Sequence, residues 1–196
     1  MYGTTAVLPN ELALVSRARV EPAAFAAVYD HYFPRVYNYV RYRVNDPATA
    51  DDITAQVFER VLARIRGYNP ERAPFAAWLF AIARNAVSDH LRAHKRRRWL
   101  ALDVLSGRFS AEPKPEEILV RKEGHAELLA AVARLSDRQR NLIGLKFGAG
   151  LTNRRIAELT GLSESNVGVI LYRTMRRLRA EMSAEECDHE RERLGQ

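Results

Sequence analysis

Apolar residues recur at helical spacing along most of the chain, and the alternation typical of strands is nearly absent. In the first half, one apolar face comprises Phe25, Val28, Tyr32, Val36, Tyr39 and Val40. Pro34 falls within this stretch and predicts a kink or a break there. A second helix is predicted after the N-cap candidate Asp46, with Pro47 at the first helical position. Its apolar positions are Ile53, Val57, Val61 and Ile65.

The segment "GYNPERAP", residues 67–74, ends this pattern, and a third helix is predicted to start near Phe75. Its apolar face is formed by Phe75, Leu79, Ile82 and Ala86, at i, i+4, i+7 and i+11. A neighbouring row turns basic towards its end: Trp78, Asn85, Asp89, Arg92 and Arg96. An aromatic ring beside Asn and Arg suits unstacked bases. Trp78 alone fits a core residue better, whereas the face from Asn85 to Arg96 favours nucleic-acid binding.

The second half predicts four further helices, over about 118–134, 136–147, 152–159 and 164–181. Within residues 151–179, Thr152 and Ser163 are N-cap candidates, Gly161 falls where the chain must turn, and Leu162 fills the gap between helices. The first of these two helices carries Ile156, Ala157 and Leu159, and the second turns Val167, Leu171 and Leu178 inward. This order is typical of a helix-turn-helix. The alternative is a helical hairpin in a structural bundle, but the basic excess on the exposed faces favours DNA binding.

These patterns predict an all-α protein with two small helical domains joined by a flexible linker, the second domain being a helix-turn-helix of winged-helix-like type. We expect an N-terminal extension over 1–21, a first domain over 22–100 and a linker over 101–125. The second domain then covers 126–182, and an acidic tail covers 183–196. The linker contains "SGRFSAEPKPEE", residues 106–117, which is rich in Gly, Ser, Pro and Glu.

The charge distribution supports an anionic partner. The 196 residues carry a formal net charge of +7 and a pI of about 9.8. Residues 1–100 hold 15 Lys and Arg against 9 Asp and Glu, and residues 134–179 hold 10 against 3. The intervening stretch 101–133 is acidic by 6 to 4, and the tail from 180 is acidic by 6 to 2. This pattern favours nucleic acid ahead of a membrane surface.

Other features indicate a cytosolic protein without a cofactor. The single cysteine, Cys187, cannot form an internal disulfide, which favours a reducing compartment. No apolar run approaches the roughly 20 residues of a membrane span, and the first residues lack the basic segment of a secretory signal. His90 and His94 have zinc-ligand spacing, but Arg92 and Lys95 beside them repel a cation. Cys187-Asp188-His189 lies in a charged tail. No Gly-rich phosphate loop or nucleophile–base string indicates an enzyme or a small-molecule substrate.

Four segments occur in the order found in one bacterial family: "FAAVYDHYFPRVYNYV", "ADDITAQVFERVLARI", "FAAWLFAIARNAVSDHLR" and "LSDRQRNLIGLKFGAGLTNRRIAELTGLS". Over roughly residues 22–180 the chain resembles the small extracytoplasmic-function (ECF) branch of RNA polymerase sigma factors. Residues 1–20 and 183–196 lie outside the resemblance. It implies a non-enzymatic factor that binds core RNA polymerase and directs promoter-specific transcription initiation, under the control of an anti-sigma factor.

The resemblance also implies the residues of three binding surfaces. A polar, acidic row would dock on a basic coiled coil of the largest polymerase subunit: Asp51, Asp52, Gln56 and Glu59. The melted −10 element would be bound by Tyr68, Asn69, Trp78, Asn85, Asp89, Arg92, Lys95, Arg96 and Arg97. The −35 duplex would be read by Arg154, Arg155, Ser165, Asn166, Val169, Tyr172, Arg173, Arg176 and Arg177. The second domain would also touch the polymerase flap, and the linker would run through the RNA exit path.

Some alternatives stay open at this point. The acidic row could be a solvated helix face, and two other protein classes fit the composition. These are a transcriptional regulator whose first domain senses a ligand, and a helical nucleic-acid-binding scaffold that does not contact polymerase. Many relatives carry basic residues where this chain has Gly168 and Ile170, so some phosphate contacts of the −35 surface are expected to be missing. Gly168 also weakens its helix by roughly 1 kcal/mol relative to Ala.

Overall fold

The computed structural model describes residues 10–104 and 123–194. The described residues form eight α-helices: α1 (Glu11–Ala18), α2 (Phe25–Arg43), α3 (Pro47–Arg64), α4 (Phe75–Val104), α5 (Glu123–Ala133), α6 (Asp137–Ile143), α7 (Asn153–Thr160) and α8 (Glu164–Leu194). Short 3₁₀ turns cover Pro22–Ala24 and Ile65–Gly67, and a π-helical segment covers Gly144–Gly148. The predicted all-α class is confirmed. The second domain lacks one feature of a winged helix, since residues 10–104 and 123–194 contain no strand that could form a wing.

Within these two ranges, no helix combines the length and the apolar character that crossing a membrane requires.

The first domain packs α1, α3 and α4 around α2. All the apolar positions predicted for α2 and α3 are buried, as are those predicted for the start of α4. Asp46 caps α3 as expected, since its side chain accepts a hydrogen bond from the Thr49 amide at 2.7 Å. The possible break at Pro34 is wrong, because α2 continues through this residue. Pro34 is exposed, and the buried face of the helix on both sides of it holds the helix together.

Several helix boundaries differ from those predicted. The first domain's last helix reaches Val104 and α5 begins at Glu123, so both ends of the expected 101–125 linker are helical. The region between them, including 106–117, lies outside the described residues. The helix expected over 136–147 is α6 followed by the π-helical segment. The last helix runs to Leu194 rather than 181, so the sequence of the acidic tail continues α8.

The second domain packs directly against α2 of the first domain, so buried residues of both domains form one continuous core. The closest approach is at the π-helical segment. A Cβ atom added to Gly148 would lie 2.7 Å from the amide nitrogen of Tyr39 and 2.8 Å from its Cα. A Cβ atom on Gly144 would lie 3.0 Å from the Tyr39 ring. Only glycine permits backbones to approach this closely.

Polar contacts reinforce the interface between the domains. The Tyr39 hydroxyl donates to Asn141 Oδ1 at 2.9 Å, and burial raises the pKa of Tyr39 to about 12. Arg35 donates to the Ala149 carbonyl through Nη2 at 2.6 Å and through Nε at 2.9 Å. Arg43, which is only 6% exposed, donates to the Asp137 carbonyl at 2.5 Å. Each arginine therefore binds a backbone carbonyl of the second domain rather than a carboxylate.

The glycine contact generates a prediction about stability. We expect Gly148→Ala to lower the free energy of unfolding by about 1–3 kcal/mol, because the added methyl group meets backbone atoms of α2 that cannot rotate away. The change is measured by urea denaturation of the full chain.

Gly67→Ala is the matched control, since a Cβ at this position has no heavy atom within 4 Å. Equal stability of Gly148→Ala and Gly67→Ala would show that the two domains do not pack through this segment in solution.

Candidate nucleic-acid interface

The acidic row predicted on the second helix lies on the solvent side of α3. Ile53, Val57 and Val61 are buried against the first-domain core. The row itself is exposed throughout: Asp51, Asp52, Gln56 and Glu59. The structure thus brings these four side chains together on one free helix face. A face of this charge suits a basic partner surface.

The loop between α3 and α4 is held in a defined shape by its own side chains. Tyr68 is 4% exposed, and its hydroxyl donates to the Ala73 carbonyl at 2.9 Å. Asn69 Oδ1 accepts a hydrogen bond from the Glu71 amide at 2.9 Å, which forms an Asx turn. Burial raises the pKa of Tyr68. The predicted direct contact of Tyr68 with DNA does not agree with this burial, because the ring supports the loop from within the core. Asn69 is exposed.

Trp78 connects this loop to the core. Its ring centroid lies 5.3 Å from that of Tyr68 and 5.5 Å from that of Phe75. Trp78 is partly buried, which agrees with the interpretation that it belongs mainly to the core. Asn85, two turns further along α4, is exposed. An Asn side chain both donates and accepts hydrogen bonds, so this position can read the edge of a base.

Asp89 on the same row faces two arginines. Its Oδ1 lies 3.2 Å from Nη2 of Arg92, and its Oδ2 lies 3.7 Å from Nη1 of Arg60 on α3. The pair of guanidinium groups outweighs the carboxylate, so the local charge stays positive. Arg60 is absent from the set predicted from sequence, because nothing in the spacing of α3 shows that it reaches α4.

The basic end of α4 carries four exposed side chains: Arg92, Lys95, Arg96 and Arg97. Lys95 Nζ lies 3.0 Å from Oδ2 of Asp137 in the second domain. This hydrogen bond lowers the pKa of Asp137. The end of α4 that is predicted to bind phosphate therefore carries exposed cations, and one of them, Lys95, is paired with the second domain.

The helix-turn-helix has the predicted local structure. Thr152 and Ser163 cap α7 and α8 by accepting hydrogen bonds from the amides of Arg155 and Asn166. Gly161 has a φ of 72° at the turn, a left-handed conformation that favours glycine. The four predicted non-basic contact residues are exposed on the first turns of α8: Ser165, Asn166, Val169 and Tyr172.

The arginines of this domain divide into paired and unpaired groups. Arg155 contacts Glu158 at 2.6 Å and lowers the pKa of that carboxyl, and Arg154 approaches the same residue at 3.6 Å. Arg177 is paired with Glu181 at 2.6 Å. Arg173 and Arg176 are exposed and form no ion pair with any residue in the described ranges. Among the arginines predicted for the −35 surface, these two are the most available to a phosphate backbone.

The spacing of His90 and His94 would suit two ligands of a zinc ion, but no further ligands accompany them among the described side chains. Their rings stack with centroids 6.4 Å apart. Among the residues whose side chains the structure describes, no group of three or more His, Cys, Asp or Glu could hold a metal ion. Cys187, Asp188 and His189 have no described side chains.

The two halves of this interface match two family models. Sigma-70 region 2 matches residues 28–97, and Sigma-70 region 4 matches residues 125–178. The first match contains the acidic row, the loop and the reading row of α4. The second contains the helix-turn-helix.

Two curated relatives are similar over most of the chain. The chain is 36% identical to the ECF RNA polymerase sigma factor BldN of Streptomyces coelicolor over 168 residues, which is 85% of this chain and 64% of BldN. It is 32% identical to the ECF RNA polymerase sigma factor RpoE of Cereibacter sphaeroides, over 83% of this chain and 88% of RpoE. The fold is also similar to that of the sigma factor RpoE solved with the anti-sigma factor NepR from Bartonella quintana. That match has a TM-score of 0.65 at 19% identity, and it covers 81% of this chain and 96% of that one.

Gly168 on the −35 surface generates a prediction about stability. A Cβ at Gly168 would contact only Asn153 Nδ2, at an ordinary 3.7 Å. We therefore expect Gly168→Ala to raise the free energy of unfolding by about 0.5–1 kcal/mol, because alanine loses less backbone entropy in a helix. The urea midpoint of the full chain measures this.

Gly161→Ala provides the opposite control. Nothing crowds a Cβ there either, but the left-handed φ of 72° makes alanine strained, so stability should fall. If Gly168→Ala and Gly161→Ala shift the urea midpoint in the same direction, helix propensity does not explain the effect at Gly168.

Proposed function

Because the chain belongs to the ECF family of RNA polymerase sigma factors, we propose that each of its three exposed surfaces binds a different partner during promoter recognition. It is a transcription initiation factor and not an enzyme. In this proposal α3 binds core polymerase, α4 and its preceding loop capture the melted −10 element, and α8 reads the −35 duplex. The observation that carries the proposal is that all three surfaces are exposed, and that each has the charge its partner requires.

Docking on polymerase rests on the row from Asp51 to Glu59. The row is exposed while the opposite side of α3 is fully packed, so a partner helix can lie along it without unfolding the domain. A basic coiled coil of the largest polymerase subunit would satisfy the four polar side chains. Complementary charge of this kind speeds association and fixes the orientation of the two proteins.

Capture of the −10 strand rests on the loop and on α4. The loop is braced by Tyr68, so it can wall a pocket for one flipped base. Flipping costs a few kcal/mol, which contacts in such a pocket must offset. Asn85 would read the base edge, and the exposed basic end of α4 would hold the phosphates that follow. Asp89 would act by positioning Arg60 and Arg92 rather than by touching DNA.

Reading of the −35 element rests on the first turns of α8. Asn166, Val169 and Tyr172 are exposed where a recognition helix meets base edges. Arg173 and Arg176 would bind phosphate, whereas Arg154, Arg155 and Arg177 would first have to leave their carboxylate partners. Gly168 and Ile170 have no charged side chain, so this helix would make fewer phosphate contacts than the corresponding helix of many relatives.

Two further features of the proposal concern regulation and location. The relative solved with NepR is bound to an anti-sigma factor, and we place this chain under the control of a protein of that kind. The second domain would also touch the polymerase flap, and the linker would pass through the RNA exit path. Because polymerase and promoter DNA lie in the bacterial cytoplasm, the chain acts there.

The docking surface is tested by reversing its charge. We expect Asp52→Lys combined with Glu59→Lys to weaken binding to core polymerase by about tenfold or more, because like charges then face each other across the interface. Binding is measured by fluorescence anisotropy of labelled full-length chain. Circular dichroism checks that the fold is kept.

Asp30→Lys is the control, since Asp30 is an exposed acidic residue on α2 and does not belong to the row. Wild-type affinity of the folded double variant would remove α3 from the polymerase interface.

Strand capture is tested at Asn85. In holoenzyme, Asn85→Ala should lower open-complex formation and flatten the preference at one −10 position by about 1–3 kcal/mol, because one base contact is lost. The measurement is transcription from a library of randomised promoters with sequenced transcript starts. The wild-type chain added to core polymerase must itself direct specific starts in this assay.

Binding of Asn85→Ala to a closed −35 duplex should be unchanged, which controls for folding. If the variant retains the wild-type −10 preference, the pocket lies elsewhere and α4 has only a packing role. If wild-type chain directs no specific starts at all, the proposed function itself is wrong.

A further inference from the structure

Helix α1 lies outside both family matches, since the match to region 2 begins at residue 28. With eight residues it is too short to be stable by itself, because isolated helices of fewer than about 12 residues are marginal in water. Val15 and Ala18 are buried in the first-domain core and hold the helix there. The side chains at its two ends, Glu11 and Arg19, are polar, and both bind other parts of the first domain.

Arg19, the residue that follows α1, binds the backbone at the start of the loop over residues 67–74. Its Nη2 donates a hydrogen bond of 3.0 Å to the carbonyl of Arg66, which is 47 positions away in the sequence. This carbonyl belongs to the peptide group between Arg66 and Gly67. The bond therefore fixes the point at which the chain leaves the 3₁₀ turn after α3 and enters the loop.

Little apolar packing supports the chain at this point. Val20 is 78% exposed and Leu62 is 47% exposed, and both line an open groove between the end of α1 and the end of α3. A Cβ at Gly67 would have no heavy atom within 4 Å. The hydrogen bond from Arg19 thus spans a junction that these side chains leave open.

The other end of α1 reaches the loop through buried rings. The Tyr32 hydroxyl donates a hydrogen bond to the Glu11 carboxylate. The Tyr32 ring packs edge to face on Phe75, and Phe75 packs in the same way on Tyr68, with 5.4 Å between the ring centroids in each pair. Tyr68 closes the loop through its bond to the Ala73 carbonyl. Burial and, to a lesser degree, the Glu11 carboxylate raise the pKa of Tyr68, so Glu11 also acts on this tyrosine directly.

The loop is therefore supported from α1 at two places, at the Arg66 carbonyl and at the Tyr68 ring. We propose that α1 is a positioning element for −10 recognition, and that Arg19 and Glu11 hold the loop in the shape that accepts one flipped base without touching DNA themselves. The proposal rests on the function proposed above. A site selects its ligand only if its groups are held to within about 0.5 Å, so a loop that loses one support should discriminate less between bases.

Hydrogen exchange of the free full-length chain tests whether Arg19 holds the loop. Arg19→Met keeps a long side chain but removes the hydrogen-bond donors. We expect the loop amides, such as those of Glu71 and Arg72, to exchange about three- to tenfold faster in this variant, because one bond that holds the loop is lost. Arg19→Lys can still donate to the carbonyl and should restore most of the protection.

Arg17→Met is the matched control for this measurement. Arg17 lies in the last turn of the same helix, but it pairs with the exposed Glu21 at 3.1 Å. Its substitution should leave the exchange of the loop unchanged. Exchange of the second domain should stay the same in both methionine variants, which shows that the change is confined to the loop.

Transcription from randomised promoters tests whether this support matters for reading DNA. In holoenzyme, Arg19→Met should reduce the preference for the favoured base at one −10 position by about three- to tenfold, and Arg19→Lys should regain most of it. Binding to core polymerase and to a closed −35 duplex should stay at the wild-type level. A general loss of folding would instead lower both kinds of binding together with the −10 preference.

The outcomes separate this proposal from the proposed function. Unchanged exchange of the loop in Arg19→Met, or equal acceleration in Arg17→Met, would overturn the role of α1, and so would faster exchange with a wild-type −10 preference. In these cases the proposed function stands as long as the wild-type chain directs specific starts. If it directs none, the proposed function fails and this proposal fails with it. Should Arg19→Met not fold, Arg19→Gln compared with Arg17→Gln gives the same test, because glutamine is too short to reach the Arg66 carbonyl.

Discussion

The close approach of the Gly144–Gly148 segment to the backbone of Tyr39 is the contact on which the arrangement of the two domains depends. Because no side chain stands between the two backbones, α6 and the helix-turn-helix behind it come near enough to α2 to share its core. The hydroxyl of Tyr39 then reaches Asn141, and Arg35 and Arg43 reach carbonyls of the second domain. A larger residue at position 148 would move all of these groups apart.

The same approach determines which functional surfaces are free. It brings the second domain along one side of α4, so α4 takes part in the contacts of both domains. The acidic row of α3 stays exposed, and so do Ser165, Asn166 and Val169 on the first turns of α8. Contacts between the domains and the proposed binding surfaces are thus separate on α3 and α8, whereas α4 carries both.

Local features of the fold could be predicted from the sequence, since their causes are local. Thr152, Ser163 and Asp46 cap the helices that follow them, and Gly161 occupies the left-handed turn, because caps and turns depend on a few neighbouring residues. Buried faces followed from the spacing of apolar residues. The same reasoning gave an exposed acidic row and an exposed Asn85, whereas their contacts with polymerase and DNA remain predictions.

Contacts between distant segments could not be predicted in this way. The sequence predicts that Tyr68 faces DNA, but its side chain is buried under its own loop. Nothing in the order of residues distinguishes a buried from an exposed tyrosine at this point. The bonds of Arg35 and Arg84 end on backbone carbonyls, which every residue possesses, so no complementary side chain marks them in the sequence. The pair of glycines four residues apart in "GLKFG" was an available signal, because glycine is costly inside a helix without a reason to be there.

That the first domain holds the second by its carbonyls has an evolutionary consequence. Ala149 and Leu159 contribute atoms that any substitution would preserve, so drift in the side chains of the second domain does not erode the bonds from Arg35 and Arg84. A lineage can therefore exchange the residues proposed to read DNA on α8 without rebuilding the junction between the domains. The residues whose identity the junction requires are therefore the arginines of the first domain and the glycines of the second.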